Sequence, residues 1–185
     1  LSGRARHDAG NLGTFSLSAE MTWQFQDDVL LLPTSPVVSN NGEAGSPRWV
    51  GDFRLNWSSP SSGTSIFYGI NVIGGTSDQG DFNDRYGGPC ITSVNPNDGN
   101  PVPIYGTYCP DLTIPATFYH NISITQDIAD GDFSITAGIS NLFDTRPPRV
   151  SVLNGGQIGL LGPVVSTSQY PFVGRRAFVN VSANF

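Results

Sequence analysis

The chain has 185 residues, 38% hydrophobic, 11% aromatic and only 13% charged, where an average soluble domain carries about a quarter charged. Its net charge is -6 and its pI near 4.6, and the nine basic residues are all arginine and scattered, which argues against nucleic-acid binding. No apolar run reaches the roughly 18 residues of a transmembrane helix, and the low charge argues equally against disorder. A chain whose apolar residues alternate with Ser, Thr, Asn and Gly satisfies both observations.

Residues 1–7 (Leu1 to His7) begin without an initiator Met or a secretory signal pattern, so a piece of a longer chain is expected. They form the tail of a strand. Residues 14–26 set Phe15, Leu17, Ala19, Met21, Trp23 and Phe25 against Ser16, Ser18, Glu20, Thr22, Gln24 and Gln26. That period of two is long enough for a tilted membrane-spanning strand. Residues 48–58 alternate Trp49, Gly51, Phe53, Leu55 and Trp57 with Asp52, Arg54 and Asn56; residues 64–73 alternate Ile66, Tyr68, Ile70 and Val72 with Ser65, Phe67, Gly69 and Asn71. Residues 118–128 set Phe118, Ile122, Ile124 and Ile128 against Asn121, Ser123, Thr125 and Asp127. Residues 132–143 set Phe133, Ile135, Ala137, Ile139 and Phe143 against Ser134, Thr136, Gly138 and Ser140. The last pattern, Ala177, Val179, Val181, Ala183 and Phe185 against Asn180, Ser182 and Asn184, runs to the final residue, where a soluble domain usually frays. No helical periodicity is legible, so the fold is expected to be all-β.

Alternation alone fits a soluble sandwich as well as a membrane barrel. Connection lengths separate them: 8–13 is short, 27–47 long, 59–63 short, 74–117 very long, 129–131 short and 144–175 long. Strict alternation of this kind belongs to an antiparallel up-and-down barrel with tight periplasmic turns and large outside loops. With the long loops outside, Trp23, Phe25, Trp49, Phe118 and Phe143 fall at the outer rim. Phe15, Trp57, Phe133 and Phe185 fall at the inner rim, as two aromatic girdles require.

Two passages carry a family resemblance. The stretch Ala137 to Pro148, with Asn141, Leu142, Phe143, Asp144, Pro147 and Pro148, resembles the "N-L-F-D-x-x-P-P" signature near the end of TonB-dependent outer-membrane receptors. The finish, Tyr170-Pro171, Gly174-Arg175-Arg176 and a terminal strand closing on Phe185, is similar to the same family's last strand. The resemblance implies a plug domain inside a barrel of about 22 strands. It also implies a periplasmic TonB energy-coupling protein as partner and siderophores, cobalamin or carbohydrates as cargo. Residues 1–185 are then about six to seven C-terminal strands of the barrel, in the bacterial outer membrane, without plug or N-terminal strands. Expected partners are outer-membrane lipid, lipopolysaccharide and the barrel-assembly machinery, with Phe185 as the assembly signal. Two open sheet edges should leave the isolated piece insoluble or unfolded. The rival readings are a complete small barrel with a structural or adhesion role, and a secreted carbohydrate-binding sandwich.

Cys90 and Cys109, 19 positions apart in the longest loop, are expected to form a disulfide in an oxidising compartment. Asp78, Asp81, Asp84 and Asn83, and the segment Asn95 to Gly99, miss the spacing of a calcium loop, and solvated turn residues are the better reading. The sequons at Asn56, Asn121 and Asn180 sit on strands and are chance matches. His7 and His120 have no nucleophile and acid arranged around them. No catalytic residue, metal or cofactor site is legible, and no enzyme is expected. Gly155-Gly156, among Leu153, Ile158, Leu160 and Leu161, reads as a loop over the barrel mouth. Asp52, Arg54, Asn56, Asn71, Asn121, Thr125, Asn180 and Asn184 should line a wet lumen. Arg146 and Arg149 lie at the outer rim, as solvated loop residues before ligands of anionic groups. Substrate-binding residues are unknown.

Overall fold

Seven strands form one antiparallel sheet in which every strand pairs with its neighbour in sequence. They are β1 (Ser2–Asp8), β2 (Thr14–Trp23), β3 (Trp49–Ser58), β4 (Thr64–Ile73), β5 (Thr117–Ile128), β6 (Phe133–Ser140) and β7 (Arg176–Ala183). The computed structural model describes residues 1–30, 32–92, 107–128, 132–150, 153–154, 157–158, 164–165 and 169–183. Asn184, Phe185, Asn95 to Gly99, Gly155, Gly156, Leu160 and Leu161 lie outside the described residues. Among the described residues β1 and β7 are the two ends of the strand order and do not pair with each other.

The register keeps like with like, because residues directly opposite share a face. Phe15 faces Trp57, Leu17 faces Leu55, and Trp23 faces Trp49. Leu55 then faces Tyr68, Tyr68 faces Ile122, and Ile122 faces Ile139. Ala137 faces Val179 and Ile135 faces Val181. One face is therefore mainly apolar from β2 to β7, with His120 and Gln126 of β5 as polar exceptions, and β1 adds Gly3, Ala5 and His7 to it. The other carries Ser16, Ser18, Asp52, Arg54, Asn71, Asn121, Thr125, Thr136 and Asn180.

The apolar face has no second large sheet against it among the described residues. Leu17 stays 49% exposed and Val179 68%. A sandwich would bury these side chains, so that alternative fails. A complete small barrel needs an eighth strand and a closing pair, and among the described residues this sheet shows neither. The best-buried side chains lie instead on the long-loop side. Ile114, Tyr119 and Tyr170 pack together with Ile73 beside them, and Phe82 and Leu112 are fully enclosed.

The two short connections at residues 9–13 and 59–63 are tight. Ala9 N–H donates to the Gly13 carbonyl at 2.9 Å, and Gly13 has φ +94°, with a Cβ there colliding with the Ser58 carbonyl. Ser59 N–H donates to the Thr64 carbonyl at 2.8 Å and closes the turn between β3 and β4.

Three features depart from the sequence expectation. Strand β2 stops at Trp23: Gln24 N–H still reaches the Arg48 carbonyl at 2.7 Å, but residues 25–26 leave the ladder for a hairpin pairing Asp28–Val29 with Val38–Ser39. Strand β6 stops at Ser140, because Asn141 takes φ +53° and Asp144 φ +56°. These left-handed conformations suit Asn and Asp and end a strand. Phe143 is thus a turn residue, not a strand residue. Finally, the chain is not purely β: α1 (Gln79–Tyr86) sits in the longest loop, between Asp78 at its start and Gly87 at φ +75° at its end. It buries only Phe82, so it has too little apolar stripe to show a helical period.

Candidate functional site

The polar face is organised as a row of bonded side chains that crosses three strands, β3, β4 and β5, and ends in the motif turn. Arg54 pairs with Asp52 on β3, and Asn71 of β4 donates its amide to the other Asp52 oxygen. Asn121 of β5 donates to Asn71 Oδ1 at 3.0 Å and accepts the Asn141 backbone N–H at 3.1 Å. Each carbonyl and amide thereby finds a partner that a lone lumen residue would take from water. Further along, the Thr125 and Thr136 hydroxyls are 2.8 Å apart. All the lumen residues expected from the sequence and described here lie on this face. The sequons at Asn56, Asn121 and Asn180 lie on β3, β5 and β7.

Two aromatic rings interrupt the row. Phe67 lies over Gly69 and Phe178 over Gly138; a Cβ at Gly138 would come 2.5 Å from Phe178 Cζ and 2.8 Å from the Ile122 carbonyl oxygen. Glycine leaves the room for the ring, and the ring shields backbone that glycine exposes.

The motif residues form a clamp. Asn141 accepts Thr145 N–H at 2.8 Å through Oδ1 and donates to the Thr145 carbonyl at 2.9 Å through Nδ2. Thr145 donates its hydroxyl to the Phe118 carbonyl at 3.0 Å, and Leu142 N–H donates to the His120 carbonyl at 2.7 Å. The Phe143 and His120 rings meet edge to face, with centroids 4.9 Å apart, and His120 Nδ1 lies 2.7 Å from the Tyr68 hydroxyl. Asp144 Oδ1 accepts Arg175 N–H at 2.9 Å. Arg146 and Arg149 are exposed beyond it, and among the described residues neither makes an ion pair.

On the long-loop side, the loop after β2 meets α1 around a cavity of about 560 Å³, lined among others by Asn41, Glu43, Arg48, Thr76, Asp81 and Thr113. Ala44 N–H donates to Asp78 Oδ1 at 2.7 Å, and Ser77 N–H to the Gly42 carbonyl at 2.8 Å. Partial burial, then the Asp81 carboxylate with its hydrogen bond, then Asp78 and Asp27, push Glu43 up to about 7. Asp78 therefore stands at the start of α1 and holds a second loop, while Asp81, Asn83 and Asp84 lie within the helix rather than in a turn, with Asp81 and Asp84 exposed. Among the described residues no group of three or more His, Cys, Asp or Glu is placed to hold a metal ion. Cys90 and Cys109 are disulfide-bonded, and the strand pair Ile91–Thr92 with Thr107–Tyr108 adjoins them.

Sequence reasoning missed the loop joint at Glu43 and the partners of the motif, Thr145 and Arg175. For the motif a local signal exists, since Asn and Asp three positions apart both favour left-handed turns. For the joint none does, because its partners are 35 or so positions apart in irregular chain.

No family model and no curated protein matches the chain. Among the solved structures that match in fold are two variants of the ferric enterobactin receptor PfeA from Pseudomonas aeruginosa. The first aligns with a TM-score of 0.55 and 18% identity, the second with 0.50 and 14%. Each alignment covers 100% of this chain and 22% of the receptor, so the chain spans about a fifth of the length of the structures it matches. At these identities the likeness concerns architecture: the chain has the all-β, antiparallel fold of a partial barrel segment of a TonB-dependent receptor.

Proposed function

We propose that residues 1–185 are a C-terminal stretch of barrel wall from a TonB-dependent outer-membrane receptor. The receptor imports a scarce nutrient, siderophore iron, cobalamin or carbohydrate, and catalyses no reaction. The observation that carries this reading is the two-sided sheet. One face is mainly apolar from β2 to β7 and rimmed by Trp23–Trp49 at one end and Phe15–Trp57 at the other; the opposite face carries a hydrogen-bonded polar row across β3, β4 and β5. Lipid and a wet lumen are the two solvents that such a sheet needs. The fold likeness to a siderophore receptor supports it.

On this reading the remaining wall, plug and TonB contact belong to the rest of the receptor, and Phe185 is the signal read by the barrel-assembly machinery. The test is fractionation and uptake with the intact gene product. It should appear in the outer membrane, and uptake of labelled ferric siderophore, cobalamin or malto-oligosaccharide should fall to background when either the gene or TonB is deleted. Uptake that is indifferent to TonB, or recovery in a soluble fraction, would refute the proposal.

A further inference from the structure

The last strand poses a register problem that alternation does not solve. A slip of β7 against β6 by one residue would turn Val179 and Val181 inward and is excluded by their apolarity. A slip by two leaves every face unchanged. Among the described residues β7 pairs only with β6, and it follows a long connection, for which closure entropy differs little between neighbouring registers.

We infer that Asp144 and the Gly138–Phe178 pair together act as a register lock that admits β7 in one even register only. The turn that carries Asp144 is itself pinned to β5 by the Thr145 hydroxyl on the Phe118 carbonyl and by Leu142 N–H on the His120 carbonyl. Its carboxylate is therefore a fixed acceptor, and it takes the N–H of Arg175, the residue just before β7 begins, 31 positions further on. Gly174 permits the approach, since a Cβ there would come 2.7 Å from Asp144 Oδ1. Within the sheet Phe178 lies directly opposite Gly138. A slip by two would set its ring against Thr136 or Ser140, where a Cβ occupies the place the ring needs. One contact is polar and lies at the rim, the other is steric and lies in the wall, and both select the same pairing. The inference rests on the sheet and is independent of cargo.

Cysteine pairs read the register directly in membranes from cells making the intact protein. Thr136→Cys with Asn180→Cys reports the native pairing, in which the two residues face each other; Thr136→Cys with Ser182→Cys reports a slip by two. With Gly138 and Asp144 in place only the first pair should cross-link. In the Gly138→Ala, Asp144→Ala background the second should rise at least ten-fold. Asp144→Asn, which keeps an oxygen acceptor, should behave as the unaltered residue. Exclusive native cross-linking in the double variant would overturn the lock. If Asp144→Ala prevents assembly, assembly with Asp144→Asn supports the lock, and equal loss in both contradicts it.

Discussion

Trp57 donates its indole N–H to the Leu12 carbonyl across 2.7 Å, which ties the short-loop rim of β3 to the turn that joins β1 and β2. The ring keeps its apolar body on the same face as Phe15, directly opposite it, while its N–H serves a turn carbonyl. Tryptophan suits a water–lipid boundary for this reason, having an apolar body and one donor. Trp57→Phe keeps the body and removes the donor. It should lower stability by about 1 kcal/mol, read as a lower temperature for the heat-induced mobility shift of the assembled protein, and it should increase proteolysis at residues 9–13.

Charge placed on the two faces should have opposite consequences. Leu55 and Asn56 are neighbours on β3 that point to opposite sides. Leu55→Arg is expected to cost about 2–4 kcal/mol of assembly in lipid, and Asn56→Arg close to nothing. Folding yields in vesicles, compared side by side, check the difference.

The joint at Glu43 predicts a pH dependence. Its folded value, about 7, lies above the ordinary 4.5, so its contribution to holding the loop against α1 is fully present below about 4.5. That contribution is lost as pH rises through about 7, when a further charge joins Asp27, Asp78 and Asp81. Hydrogen exchange at Ala44 and Ser77, whose amides bridge the joint, should accelerate between pH 5 and pH 8 beyond the intrinsic rate change. Glu43→Gln should abolish the excess.

The disulfide closes a separation of 19 residues in the longest loop. Replacing both cysteines by serine should destabilise that loop by roughly 3 kcal/mol, visible as protease cleavage between residues 90 and 109, with the sheet left intact.

The sheet was legible because its physics is local and repetitive. On the outward face of β2 to β4 an apolar residue or glycine recurs at every second position, with Val50, Phe67 and Ile73 on the other face, and the short and long connections could be counted directly. The motif was recognisable, but its geometry was not. Phe143 continues the alternation of β6 in sequence, whereas two left-handed residues, Asn141 and Asp144, bend the chain away at Ser140. Helix α1 was hidden because eight residues with one buried side chain carry no period. The contacts of Glu43 with Asp81, and of Asp144 with Arg175, join segments whose approach depends on the whole sheet being in place.

A barrel wall differs from any other two-faced sheet in the solvent that each face meets. Spin labels at Leu17, Leu55 and Val179 on the apolar face, and at Ser16, Asn56 and Asn180 on the polar face, measure this in native membranes. Relaxation by lipid-soluble oxygen should dominate at the first three, and relaxation by a water-soluble nickel chelate at the second three. Equal accessibility across the alternation, or oxygen preference on the polar face, would contradict the assignment of this chain to a membrane barrel wall.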